Sequence, residues 1–145
     1  MATEAAPLQQ KIYVSALSGT DDTVLPDILR ASQKNNERNG VTGMLLYADG
    51  NFLQVLEGPP QTVEETFARI EQDPRHHHII VMSDEPTTQR DFADWSMGLQ
   101  RLGAEEAERL PEHARWFRYG FDADAIQAQP GMALDLLKLF AHGKL

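Results

Sequence analysis

The chain reads as an α+β protein, a ferredoxin-like β-α-β-β-α-β-β sheet with two helices on one face and C-terminal helices on the other. Three observations carry that reading. Strand-like runs at 11–17, 41–47 and 51–57 are separated by stretches whose apolar residues recur at helical spacing, and the Asp49-Gly50 pair is a strong hairpin signal. Two strands joined by a tight turn and flanked by helices send both helices across the same side of one mixed sheet.

Residues 1–10 are expected to be disordered; they lack the charged and apolar blocks of a signal peptide. Lys11–Leu17 is the first strand, and Ser18–Asp22 is a polar loop. The first helix carries Leu25, Ile28, Leu29 and Ser32 on one stripe, which reaches Asn36 one turn later before Asn39-Gly40 ends it. Val41–Tyr47 and Asn51–Glu57 form the hairpin, and Gly58-Pro59-Pro60 stops the second of them. A second helix is expected near Thr62, where Thr62 and Glu65 suit a capping box; it buries Val63, Phe67 and Ile70 and closes at Asp73-Pro74. His78–Ser83 is short and almost wholly apolar, which predicts a strand buried on both faces. Pro86–Asp94 connects it to a shorter fifth strand, Trp95–Leu102.

Beyond residue 103 the chain turns charged and helix-forming, with Glu105 and Arg109 spaced for an i,i+4 pair. The last helix, Met132–Ala141, carries Leu134, Leu137 and Phe140 at helical spacing. That stripe needs a surface, and the sheet face left open by the first two helices provides one. The division is therefore a main domain at 11–102 and a helical extension at 103–145 packing on the sheet.

With 145 residues the chain has room for one domain with a proper core. A formal net charge of −9 and the lack of a basic stripe argue against a nucleic-acid partner. Cysteine is absent, which removes disulfides, thiolate nucleophiles and zinc ribbons from consideration. No apolar run approaches membrane-spanning length, so no membrane partner is expected and a cytoplasmic location is the simplest expectation. His76-His77-His78 has poor spacing for a metal, because consecutive strand residues point to alternate sides and only His76 and His78 could converge.

Gln54 stands out: alternation puts it on the face of Phe52 and Leu56, where an apolar side chain would normally sit. An amide left unsatisfied there costs about 1–3 kcal/mol, so a polar partner is expected inside the fold. Glutamine offers an acceptor and a donor that exchange places when the amide turns over, so one residue can hold two hydrogen-bond arrangements. By themselves these residues leave open a backbone-satisfied glutamine in an interaction module, or a small ferredoxin-like hydrolase holding phosphate with Asn35, Asn36 and Arg38. Tyr13, Trp95 and Met97 taken singly read as core residues, and Arg69 with Asp73 as an exposed ion pair.

The strings Lys11-Ile12-Tyr13-Val14-Ser15, Ser32-Gln33-Lys34-Asn35-Asn36, Asn39-Gly40-Val41-Thr42-Gly43-Met44-Leu45, Phe52-Leu53-Gln54-Val55-Leu56-Glu57-Gly58, Asp73-Pro74-Arg75-His76-His77 and Trp95-Ser96-Met97 together resemble the BLUF family of blue-light sensors. The tail resembles that of short, stand-alone members with two extra helices and no attached enzyme domain. The resemblance implies a photosensory protein rather than an enzyme. Its cofactor would be a non-covalent flavin, FAD in the first place with FMN or riboflavin as alternatives. It also implies that Ile28 and Ile70 sandwich the flavin ring and that Asn36 and Asn35 meet its polar edge. Phe52, Gln54 and Leu56 would lie beneath it, with Arg69, Asp73, Arg75 and His76 near the ring, ribityl chain or phosphate. Tyr13 and Gln54 match the photoactive pair, and Trp95 and Met97 would carry the change into the fifth strand. The signal would pass to a separate effector protein, with a homo-oligomer expected.

Overall fold

The computed structural model describes residues 7–19, 22–93, 97–129 and 131–141. The sheet comprises β1 (Leu8–Leu17), β2 (Thr42–Ala48), β3 (Asn51–Gly58), β4 (His76–Thr87) and β5 (Gly98–Leu102), in the order β4-β1-β3-β2-β5. All neighbours are antiparallel except β2 and β5, which run parallel from the Met44/Gly98 pair. β3 is therefore central, and Gln54 lies between Tyr13 of β1 and Leu45 of β2.

Helices α1 (Leu25–Asn39) and α2 (Pro60–Glu71) cross one face. They bury Leu25, Val63 and Phe67 against Tyr13, Leu45, Phe52 and Leu56. Four helices follow the sheet: α3 (Ala104–Arg109), α4 (Ala114–Tyr119), α5 (Ala123–Gln127) and α6 (Met132–Ala141). Trp116, Phe117, Leu136, Leu137 and Phe140 from this segment pack on Ile12, Val14, Met44, Leu46, Leu53 and Val55. Alternation along each strand thus feeds two separate cores.

Local chemistry sets the boundaries. Gly40 takes a left-handed φ of 72° to end α1, and Asp49 and Gly50, at φ 45° and 86°, make the hairpin turn with both central residues at positive φ. Gly43 is required by crowding: a Cβ there would sit 2.0 Å from the Val55 carbonyl oxygen and 3.3 Å from the Met97 methyl carbon. Glu105 and Arg109 form the expected ion pair at 2.8 Å.

Several boundaries differ from the sequence reading. β1 begins at Leu8, so Leu8–Gln10, expected to be disordered, pair with β3 and β4. α2 begins at Pro60, whose fixed φ suits the first helical position; Thr62 lies inside the helix and the expected capping box does not form. β4 is an edge strand extending through Pro86 to Thr87, and Ile80 and Val81 on it are 42% and 39% exposed rather than buried on both faces. An edge tolerates the proline, and two register shifts against β1, one beside His78 at φ 54°, bulge the strand. β5 starts at Gly98 instead of Trp95, whose position lies outside the described residues. Among the described residues the extension holds four α-helices where two were expected, because Pro111, Gly120 and Gly131 divide it.

Candidate functional site

Tyr13 and Gln54 are cross-strand partners on the face beneath α1 and α2. The buried Tyr13 hydroxyl donates to Gln54 Oε1, and Gln54 Nε2 donates in turn to Met97 Sδ at 3.3 Å. These two bonds fix which way the amide points. A thioether is a weak acceptor, so the link to Met97 is the weaker of the two. Met97 itself is 1% exposed, and its backbone carbonyl accepts a hydrogen bond from Gln33 Nε2 of α1 at 3.0 Å. Burial, with the negative Asp73 nearby, pushes the Tyr13 phenol well above its ordinary pKa, so it is a neutral O–H donor.

The cleft beside this pair lies between the two helices. One part is lined by Tyr13, Ser15, Ile28, Ser32, Leu45, Phe52, Gln54, Ile70, Asp73 and His76. It adjoins a second part that shares Ser32, Gln54, Ile70 and Asp73 and adds Asn35, Asn36, Leu56, Thr66, Arg69 and Arg75. Every residue expected at a flavin site from the sequence is thus gathered around one continuous cleft.

At the rim, Arg75 grips the Asp73 carboxylate through Nε at 2.9 and 3.0 Å and through Nη2 at 2.6 Å. This charge-assisted pair holds Asp73 below, and Arg75 above, its usual pKa. The partner of Asp73 is therefore Arg75 instead of Arg69, whose Nη2 donates to Thr66 Oγ1 at 3.5 Å. His76 Nε2 lies 2.6 Å from the Ile70 carbonyl, and because a carbonyl only accepts, that nitrogen carries a proton; Nδ1 faces Ser15 Oγ at 3.0 Å. The ring is tied to both α2 and β1.

Four polar lining or supporting residues were not singled out as site residues from the sequence. Ser15 follows Tyr13 by two positions and was reachable by alternation. Ser32 sits among apolar residues on the helical stripe, the same anomaly that marks Gln54. Thr66 and Gln33 carried no such signal, since each gains its place only from how the helix docks on the sheet.

Apolar walls from Ile28 and Ile70, with the buried amides of Gln54 and Asn36 beside them and the exposed Asn35 at the rim, fit a flat ring with two apolar faces and a hydrogen-bonding edge. That is the shape and polarity of a flavin. Among the described residues no group of three or more His, Cys, Asp or Glu is arranged to hold a metal.

Comparison with known proteins agrees. Residues 8–98 match the family described as "BLUF: Sensors of blue-light using FAD". Photoactivated adenylate cyclase subunit beta of Euglena longa is 33% identical over 99 residues, which is 66% of this chain and 12% of that protein. Subunit alpha of Euglena gracilis is 34% identical over 98 residues, 66% of this chain and 10% of that protein. This chain thus corresponds to a small part of the cyclases it matches. Among solved structures, the dark state of the BLUF protein BlrB superimposes with a TM-score of 0.78 at 31% identity, covering 96% of this chain and 98% of that one. The ground state of BlsA gives 0.72 at 25% identity over 91% and 88%. With its sheet and most of its length matched in this way, the chain belongs to the BLUF family of blue-light sensors that use a flavin.

Proposed function

We propose that the light response of this BLUF protein resides in Tyr13, Gln54 and Met97, with the flavin ring held between Ile28 and Ile70. The observation that carries this is the chain of two hydrogen bonds from Tyr13 to Gln54 Oε1 and from Gln54 Nε2 to Met97. Asn36 is 2% exposed and lines the cleft, which suits it to meet the ring's polar edge, with Asn35 beside it. Phe52 and Leu56 supply the floor on either side of Gln54. Arg69, Asp73, Arg75 and His76 suit the rim, where the ribityl chain and phosphate of FAD would lie.

When bound, the flavin supplies light absorption and an oxidising excited state. With flavin bound, Tyr13 would be the electron donor to that state, its proton being aimed at Gln54 Oε1. Return of electron and proton to Tyr13 would leave the amide rearranged or tautomerised. If the amide turns over, its oxygen faces Met97 Sδ, where the dark state had an N–H donor. Met97 Sδ then loses its donor while the Met97 carbonyl keeps Gln33 Nε2, and a shift would enter β5 at the next residue. Trp95, two residues before Met97, would take part in the same exchange.

The chain acts as a sensor rather than a catalyst: residues 11–102 hold the flavin, and the C-terminal helices, packed on the far face through Trp116, Phe117, Leu136, Leu137 and Phe140, receive the movement. On this reading the output is a separate effector protein or a change in self-association. In the photoactivated adenylate cyclases the similar segment belongs to a much longer chain. The charge of −9 disfavours nucleic acid as the partner, and a cytoplasmic location suits a chain in which no helix among the described residues is long and apolar enough to cross a membrane. The hydrolase alternative gains nothing, since Arg38 is exposed on the last turn of α1 whereas Asn36 is buried.

An absorption spectrum before and after blue light tests the reading. The purified protein should be yellow and show a small, reversible red shift of its flavin band. A colourless protein that takes up no added flavin would refute it.

A further inference from the structure

Glu57 is a carboxylate with 0% exposure that the light reaction does not use. It follows Gln54 on β3, and alternation turns it to the opposite sheet face. There Oε1 accepts the backbone N–H of Phe92 at 2.8 Å, while Oε2 accepts the backbone N–H of Asp91 at 2.9 Å and Gln10 Nε2 at 2.8 Å. Each is a charge-assisted bond, stronger than a neutral one. The connection between β4 and β5 is thereby pinned to the strand that carries the switch glutamine. Arg90 adds bonds to Thr42 Oγ1 at 2.8 Å, the Glu57 carbonyl at 3.2 Å and the Gly40 carbonyl at 2.7 Å.

From this pin, links lead to both faces. Phe92, also 0% exposed, packs in the core formed with the C-terminal helices, and Asp91 pairs with Lys138 of α6 at 3.6 Å. In the other direction the same connection leads to Met97, which takes the Gln54 hydrogen bond.

We propose that Glu57 is the positioning residue for signal transmission. Its carboxylate holds residues 91 and 92 against β3, so that displacement of Met97 on the flavin face reaches α6 through Phe92 and the Asp91–Lys138 pair. Without the pin the connection absorbs the movement. The proposal rests on Tyr13, Gln54 and Met97 being the switch, and coupling of this kind needs an element whose two positions both sites bias.

Glu57→Gln in the flavin-loaded full chain is the test, because it keeps the shape but turns an NH2 group toward an N–H donor. Glu57 lines no part of the cleft, so flavin content and red shift should match the parent. Hydrogen exchange is then compared in dark and light. The parent should show a light-dependent change in both 97–102 and 132–141; the variant should keep the first and lose the second. Glu57→Asp, with both oxygens retained, should restore part of it. A purely structural role would change exchange equally in dark and light and leave the difference intact.

A parent-like light-dependent change at 132–141 in Glu57→Gln overturns the proposal, as does a parent that shows its red shift but no change there. A parent without the red shift instead refutes the switch reading. Should Glu57→Gln not fold, Lys138→Met breaks only the outer link. Loss of the change at 132–141 in that variant supports the route, and full retention overturns it.

Discussion

Tyr13 and Gln54 occupy adjacent positions on neighbouring strands, and each satisfies the other in a core that would otherwise exclude both. Burial makes the phenol reluctant to ionise, and that has a consequence for stability. Below about pH 10 Tyr13 is neutral in both folded and unfolded chains; above it the unfolded chain releases the proton while the folded chain holds it. Stability contributed by the neutral phenol is therefore lost as pH rises past 10. Urea unfolding between pH 9 and 11 should show a shallower loss in Tyr13→Phe than in the parent; equal slopes would contradict the burial argument. Asp73 behaves in the opposite sense. Held low by Arg75, it stabilises the fold above its unfolded value of about 3.9, and this is lost as pH falls through the folded value. Asp73→Asn should flatten the acid limb by less than about 1 kcal/mol, because both partners are partly exposed. A steeper acid limb in the variant would reverse the assigned sign.

At the scale of elements, β3 is the strand on which two cores and the switch depend. Its partner β2 can lie close only because Gly43 lacks a Cβ. Gly43→Ala should separate the strands and press on Met97, costing about 1–3 kcal/mol in urea unfolding and altering the dark spectrum of the bound flavin. An unchanged unfolding midpoint would show that the strands accommodate the methyl. The strands and helices were legible because alternation around Gln54, the stripe through Ile28 and Asn36, and the turn residues are local signals. The exposure of β4 was not. Ile79, Ile80, Val81 and Met82 look the same in sequence whether a strand is central or at an edge, and only the order β4-β1-β3-β2-β5 decides. The start of α2 was misplaced for a nearer reason, since Pro60 initiates the helix before the Thr62 hydroxyl could cap it.

For the whole molecule, one sheet separates the core beneath α1 and α2 from the core formed with the C-terminal helices. Most residues expected in the cleft lie in the strings that carry the family resemblance, whereas Ile28, Arg69 and Ile70 lie outside those strings on helical stretches. Glu57 could not be singled out in advance. It belongs to one of those strings, yet its role comes from the amides of Asp91 and Phe92, which only the folded connection brings to the strand end. The central claim is that the Gln54 amide converts light absorption into a change of hydrogen-bond partners. The light-minus-dark absorption spectrum of Gln54→Leu, recorded beside the parent at equal flavin content, tests it most directly. The account predicts that the variant binds flavin and shows no light-induced red shift while the parent shows a reversible one. A parent-like shift in Gln54→Leu would contradict it.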